Sequence, residues 1–252
     1  MIDGHPCTPA ELRESEFLRS QGYFKVPKVF DEAYVARARE AVWRHFDLSP
    51  DDTRFLGANA TAAAFKDYRA LQQIEEVHDL ATDNRLLDVV QRFTGPNIAM
   101  PLNRHNHVSI NPPSGEQAGI HRDHDEFTRG LISAVVYLED ADVENGCTLV
   151  IPGSHLWAGN TRPVNGGYFL EDTPYASIAD QAVPVPMGAG DVLLFDGQIF
   201  HGVGQNTSER TRTSVALGYH SVDQLAPDHH KDKLLVVRGD DVYRGNDIPE
   251  EE

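Results

Sequence analysis

The hydrophobic pattern changes character once along the chain. Up to Gly95 it keeps a helical period; beyond Asn97 it breaks into short runs and alternations. Leu12, Phe17 and Leu18 fall loosely on one face of a helix that begins at Pro9 and that Gly22 ends. Tyr23 to Val29 predicts a short strand, which Pro27 confines to a sheet edge because proline has no N–H to offer a neighbour. Asp31 is placed to cap a second helix, Glu32 to Phe46, whose Val35, Ala38, Val42 and Phe46 form one apolar stripe. Ser49 to Ala64 is small and polar and predicts a loop, a candidate cover for a site. More helix follows from Leu71 to Phe93, with Asn84 as a cap before Leu86-Leu87, and closes at Gly95-Pro96.

Strands are predicted at Ile98 to Asn111, Gly119 to Phe127, Leu131 to Leu138, Thr148 to Ile151, Ala182 to Val185, Asp191 to Phe195 and Ser214 to His220. Turns rich in Gly, Pro, Asn and Asp separate them. Strands without helices between them predict an antiparallel sandwich or barrel, not a βαβ fold. The helical part, 1–96, is expected to pack outside a β core, 97–221, in a single domain spanning 1–252, with 222–252 as a C-terminal tail. Within the first strand Asn103, His105, His107, Ser109 and Asn111 alternate with other residues and make one face polar. That face is either a solvent-exposed edge or, in a barrel mouth, a row of substrate and cosubstrate contacts.

Composition narrows the partners. With 252 residues, 40% hydrophobic and 24% charged, the chain has the make-up of a globular protein. No apolar run approaches the roughly 20 residues that span a bilayer. The start, Met1 to Pro6, lacks the basic and apolar regions of a secretory signal. Two cysteines, Cys7 and Cys147, are too few for a disulfide framework, so a reducing, cytoplasmic setting is expected. A net charge of −17 repels nucleic acid and anionic membrane, so neither is an expected partner.

Candidate chemistry begins at His121-Arg122-Asp123. In an extended strand, residues two apart point to one side, so an imidazole nitrogen and a carboxylate oxygen aim at a common point. A distant second histidine would complete one face of an octahedron and leave three positions open, the arrangement of non-haem Fe(II) oxygenases. His124 and Glu126 offer the same spacing, and a polar turn after Pro112-Pro113 is the bland alternative. The candidate distal histidine is His201, near the end of the apolar run Asp191 to Gly202, where a core or turn histidine is the alternative. Eleven residues further on, Arg212 begins another alternating strand, where a guanidinium can clamp a carboxylate bidentately. An α-keto acid that chelates iron needs such an anchor for its far carboxylate. Arg210 shares the face, and spacing alone does not separate the two.

Three stretches resemble the phytanoyl-CoA dioxygenase family of Fe(II)/2-oxoglutarate-dependent oxygenases. They are His121 with Asp123; Asn145-Gly146-Cys147-Thr148-Leu149-Val150-Ile151-Pro152-Gly153-Ser154-His155; and Gly190-Asp191 through His201-Gly202, Asn206, Ser208 and Arg212. The opening Phe17 to Tyr23 is similar as well. The resemblance implies a mainly β fold, a double-stranded β-helix or jelly roll buttressed by α-helices. It also implies Fe(II) held by His121, Asp123 and His201, 2-oxoglutarate anchored by Arg212, and O2 as oxidant. The implied reaction is hydroxylation of an unactivated C–H bond of a small molecule, with release of succinate and CO2. Epimerisation, desaturation and cyclisation are alternatives on the same scaffold, as is a non-catalytic binding module.

Two positions depart from the family's pattern. Asn111 stands where many relatives have a Lys before the Pro-Pro turn, and Val203 where many have Ser or Thr. Asn111, Ser109 and Thr148 are therefore candidate cosubstrate contacts beside Arg212. Asn103, His105 and His107 are candidate substrate contacts. Trp157 is either a pocket wall or a packed side chain. His155 is expected to shape a turn, and His229-His230 to lie on solvated surface.

Overall fold

The computed structural model describes residues 8–49, 65–103, 105–113, 118–123, 130–157, 169–170, 176–224 and 233–241. Helix α1 runs from Pro9 to Gln21, and Gly22 ends it at φ 81°, a backbone that residues with a Cβ rarely adopt. Only Leu18 of its predicted stripe is buried; Leu12 is 52% exposed, and Phe17 packs edge-on against Tyr23 and Phe24. Strand β1, Tyr23–Val26, pairs on one side only, as Pro27 requires. Helix α2, Glu32–His45, is capped by Asp31, whose carboxylate accepts the Tyr34 N–H at 2.8 Å. Its Val35, Ala38 and Val42 are buried.

The two-residue strand β2, Lys66–Asp67, leads into α3, Ala70–Gln73, α4, Glu75–Thr82, and α5, Asn84–Thr94. Asp83, not Asn84, caps α5: its carboxylate accepts the Arg85 N–H and is clamped by the Arg85 guanidinium. Asn84 turns the other way and accepts from Arg238 at 2.8 Å. Most of the loop expected at Ser49 to Ala64 lies outside the described residues.

The remaining strands are β3, Ile98–Pro101; β4, His107–Asn111; β5, Ala118–His121; β6, Ile132–Tyr137; β7, Thr148–Val150; β8, Val183–Val185; β9, Val192–Asp196; β10, His201–Val203; β11, Arg212–Ser221; and β12, Leu234–Arg238. They form two antiparallel sheets. The larger has the order β1-β9-β6-β11-β3-β12, with β4 beside the first half of β11 and β2 beside β4; the smaller is β5-β10-β7-β8. Strands β6 and β9 are apolar apart from Ser133, Tyr137 and the final Asp196, because both their faces are covered. Ala134, Val136, Val192, Leu194, Val215 and Leu217 pack under the helices. Val135, Tyr137, Leu193 and Phe195 point instead between the sheets, where Cys147, Val150 and Ile199 meet them. The site opens on this inner side.

Three predicted segments end differently. The strand expected from Ile98 to Asn111 is broken by a turn at Leu102–Asn106, in which the Asn103 carboxamide accepts the His105 N–H at 2.9 Å and the Asn106 N–H donates to the Asn103 carbonyl. Local Asn chemistry overrides the alternation there. The run from Asp191 to Gly202 breaks after Asp196, whose carboxylate accepts the Gln198 N–H, so His201 opens a strand in the opposite sheet. The expected tail contributes β12, which pairs with β3 and is tied to α5 by Arg238 on Asp88 and Gln91.

Candidate metal centre

Strands β5 and β10 run antiparallel with His121 directly opposite His201, and their ring centroids lie 4.5 Å apart. Asp123 follows two residues beyond, where its N–H donates to the Gly197 carbonyl at 3.1 Å in the turn after β9. The three side chains each offer one ligand atom, and these atoms lie within 4.8 Å of one another. The Asp123 carboxylate is 3.8 Å from His201 Nε2. Nδ1 of His121 sits 3.0 Å from the Gly119 carbonyl, and Nδ1 of His201 sits 3.0 Å from that of Ile199. A carbonyl can only accept, so both protons are on Nδ1 and both Nε2 lone pairs are free for a cation.

Burial and the neighbouring His201 lower His121 to about 4, which keeps its imidazole neutral near pH 7. Burial alone would raise Asp123; His105, His201, His121 and the Ser133 hydroxyl outweigh it and hold the carboxyl below its usual range. Two imidazole nitrogens and one anionic carboxylate in a shared cleft are the donor set of a divalent first-row metal.

Arg122, between the two ligands in sequence, points to the outer face. Its guanidinium stacks over Phe200 at 4.2 Å and donates to the Ser154 carbonyl. The Ser154 hydroxyl accepts the Phe200 N–H at 2.8 Å, Gly153 N–H donates to Gln21, and His155 meets the Arg19 carbonyl. The Pro-Gly-Ser-His turn thus braces β10, the Asp123 segment and the end of α1 from behind.

Arg212 is 2% exposed, begins β11 opposite Asn111 and faces Tyr137. Burial pushes its pKa down, while Tyr137, Cys147 and Glu139 pull it up. Among the described residues it forms no ion pair with a carboxylate, and its Nε and the Asn111 Oδ1 are buried without a hydrogen-bond partner. A buried guanidinium with unmet donors suits an incoming carboxylate. Tyr137 OH lies 2.6 Å from Thr148 Oγ1, and Ser109 Oγ lies 3.3 Å from Ser214 Oγ. Arg210 is exposed and pairs with Asp142 at 2.6 Å. Gly146, at φ 78°, and Asn206, which donates to the Asn111 and Arg210 carbonyls, fix the loops that bring Asn111 and Arg212 together.

The other expected contacts are redistributed. His107 stays on the inner face of β4, half-buried against Tyr68 at 5.5 Å; burial, then Lys66 and His105, lower its pKa well below the usual value. Asn103 is spent on the turn, and His105 is buried against Ser133 and Asp123 instead of lining an opening. Trp157 packs on Phe200 in the cluster of Ile120, Ile151 and Leu170 behind the small sheet, away from the cleft. His124 and Glu126 lie outside the described residues. Ser133 and Tyr137, which no motif singles out, also face this inner side. Their signal was present: they are the polar members of an otherwise apolar run and share its inward parity.

A jelly roll that carries this two-histidine, one-carboxylate cluster beside a buried arginine defines the class of Fe(II)/2-oxoglutarate-dependent oxygenases. Residues 18–214 match the family model "Phytanoyl-CoA dioxygenase (PhyH)", and the chain belongs to that family. Among curated proteins it is 31% identical to the dioxygenase olcK of Penicillium canescens over 47% of this chain and 39% of that one. It is 24% identical to the dioxygenase lolE1 of Epichloe uncinata over 93% of this chain and 90% of that one. The chain therefore spans well under half of the first relative and most of the second. Among solved structures, the α-ketoglutarate-dependent carbocyclase SnoK from nogalamycin biosynthesis superposes with a TM-score of 0.68 at 22% identity, covering 92% of this chain and 95% of its own. The epimerase SnoN from the same biosynthesis gives 0.67 at 23%, covering 84% of each. No helix among the described residues is long and apolar enough to cross a membrane.

Proposed function

We propose that the protein is a single-domain, cytoplasmic hydroxylase that oxidises a C–H bond of a small natural product with Fe(II), 2-oxoglutarate and O2. The observation that carries it is the convergence of His121, Asp123 and His201, together with the buried Arg212, which among the described residues forms no ion pair with a carboxylate. Bound iron with 2-oxoglutarate supplies O2 activation coupled to decarboxylation of the keto acid to succinate and CO2. The chain's own residues bind, orient and exclude water. His121 and His201 present Nε2, Asp123 one carboxylate oxygen, and Arg212 receives the far carboxylate of the cosubstrate. Tyr137, Thr148, Asn111 and Ser109 line that carboxylate's approach, and Leu193 and Phe195 keep the floor dry. His107, with Tyr68 and Lys66 on the β2–β4 side, forms the substrate wall.

Two experiments test this. Anaerobic addition of Fe(II) and then 2-oxoglutarate is expected to produce a weak visible charge-transfer absorption, and exposure to O2 is expected to release succinate. Intact protein that gives neither is a binding module, not an oxygenase. Product analysis separates hydroxylation from the epimerisation and ring closure that the names of SnoN and SnoK record for those proteins.

Tyr137→Phe tests the cosubstrate wall. Loss of one hydroxyl between Arg212 and Thr148 removes about 0.5–1.5 kcal/mol of hydrogen bonding, or a few-fold to about tenfold in the apparent requirement for 2-oxoglutarate. An unchanged requirement would detach Tyr137 from the cosubstrate.

A further inference from the structure

His105 lies 7% exposed at the end of the Leu102–Asn106 turn, with Nε2 2.7 Å from Ser133 Oγ and 3.4 Å from Asp123 Oδ2. Ser133 Oγ donates to the same Asp123 oxygen at 3.2 Å. Since the hydroxyl proton goes to the carboxylate, the serine's lone pair accepts from His105, and Nε2 carries a proton. The result is a directed relay, imidazole N–H to hydroxyl to carboxylate, in which each hydrogen bond polarises the next. Several features hold that ring in place. Asn103 holds the His105 N–H, His107 Nδ1 donates to the His105 carbonyl at 3.2 Å, and Asn106 Oδ1 accepts the Gly218 N–H at 2.8 Å. Gly218 faces the imidazole; a Cβ there would come within 2.4 Å of His105 Cδ2, so only glycine leaves room.

We propose that His105, acting with Ser133, is a positioning residue for the metal-binding carboxylate. The pair occupies Oδ2 of Asp123 and leaves Oδ1, the oxygen nearer His201, as the single atom presented to the metal. A free carboxylate can turn to bind a cation through both oxygens and use up a second coordination site. The relay prevents this and keeps three positions open for cosubstrate and O2. The inference rests on the metal-centre reading above and adds a residue that touches neither metal nor cosubstrate.

The test uses Co(II) alone, followed by its ligand-field absorption, on the full chain. Outer partners of metal ligands are worth about 10–100-fold in metal affinity. His105→Phe keeps a flat ring but loses the N–H. It is expected to weaken Co(II) binding by that factor, while the metal-free protein unfolds at a nearly unchanged temperature. His105→Gln places an amide N–H near Nε2 and is expected to restore most of the affinity, and Ser133→Ala to lose about as much as His105→Phe without adding to it. Wild-type affinity in a folded His105→Phe protein overturns the positioning role and leaves the metal centre standing. Equal losses in the Phe and Gln variants with a lowered unfolding temperature also overturn it, in favour of a packing role. Failure of the wild-type chain to take up Co(II) removes the metal centre and this inference together.

Discussion

Asp123→Ala is expected to stop succinate release and to weaken Fe(II) or Co(II) binding at least about 100-fold, since a ligand is worth no less than the outer partners whose loss costs about 10–100-fold. Alanine leaves two neutral nitrogens and no anion, so the charge that offsets a divalent cation's dehydration is gone. The fold is expected to persist: Asp123 stands beside the cleft and outside all three apolar clusters, so truncation opens no core cavity. Its Ser133 and His105 partners lose an acceptor that water entering the cleft replaces. Calorimetric titration with the metal and a succinate assay measure the outcome. Normal turnover in a folded Asp123→Ala protein would falsify the assignment of this cluster as the iron site.

Arg212→Ala ranks second. The guanidinium is buried, faces a tyrosine, and among the described residues pairs with no acid of the chain. Among the described residues no carboxylate forms an ion pair with it, and a cosubstrate carboxylate would supply that counter-charge. Removing one member of a buried, hydrogen-bonded ion pair costs roughly 3–5 kcal/mol, which corresponds to a rise of about two to nearly four orders of magnitude in the 2-oxoglutarate requirement. Metal affinity without 2-oxoglutarate is expected to be unchanged, which separates this loss from that of Asp123→Ala. Arg210→Ala is the control. Arg210 lies in solvent on Asp142 and Glu144, so its removal is expected to leave the requirement where it was. The reverse result, with Arg210 needed and Arg212 dispensable, would move the anchor to the surface bend before β11.

Legibility differed residue by residue. The His121–Asp123 spacing was visible because two extended residues must share a side. The sheet pairing of β5 with β10, which sets His121 opposite His201, was not, since register between segments eighty residues apart depends on contacts that no local window contains. Arg210 and Arg212 looked equivalent by parity. What separates them is that Asp142 and Glu144 reach Arg210, whereas Arg212 enters the space between the sheets. The even alternation from Asn103 to Asn111 invited one polar row, yet the turn chemistry of Asn103 and Asn106 removed its first half and converted His105 from an expected substrate contact into a neighbour of Asp123. Trp157 and the segment of β12 were decided by distant partners in the same way.

From its residues alone the chain determines the helical first part, the run of short antiparallel strands, the caps and glycine stops, and the local pairing of an imidazole with a carboxylate. These follow from side-chain period and backbone chemistry, which act over a few residues. Only the tertiary structure decides which histidine comes to meet the His-Asp pair, which arginine is buried, and which polar side chains turn inward to serve them. Those outcomes depend on strand order and register, and burial changes what a side chain meets: Arg210 pairs with acids at the surface, whereas Arg212, enclosed between the sheets, pairs with none among the described residues.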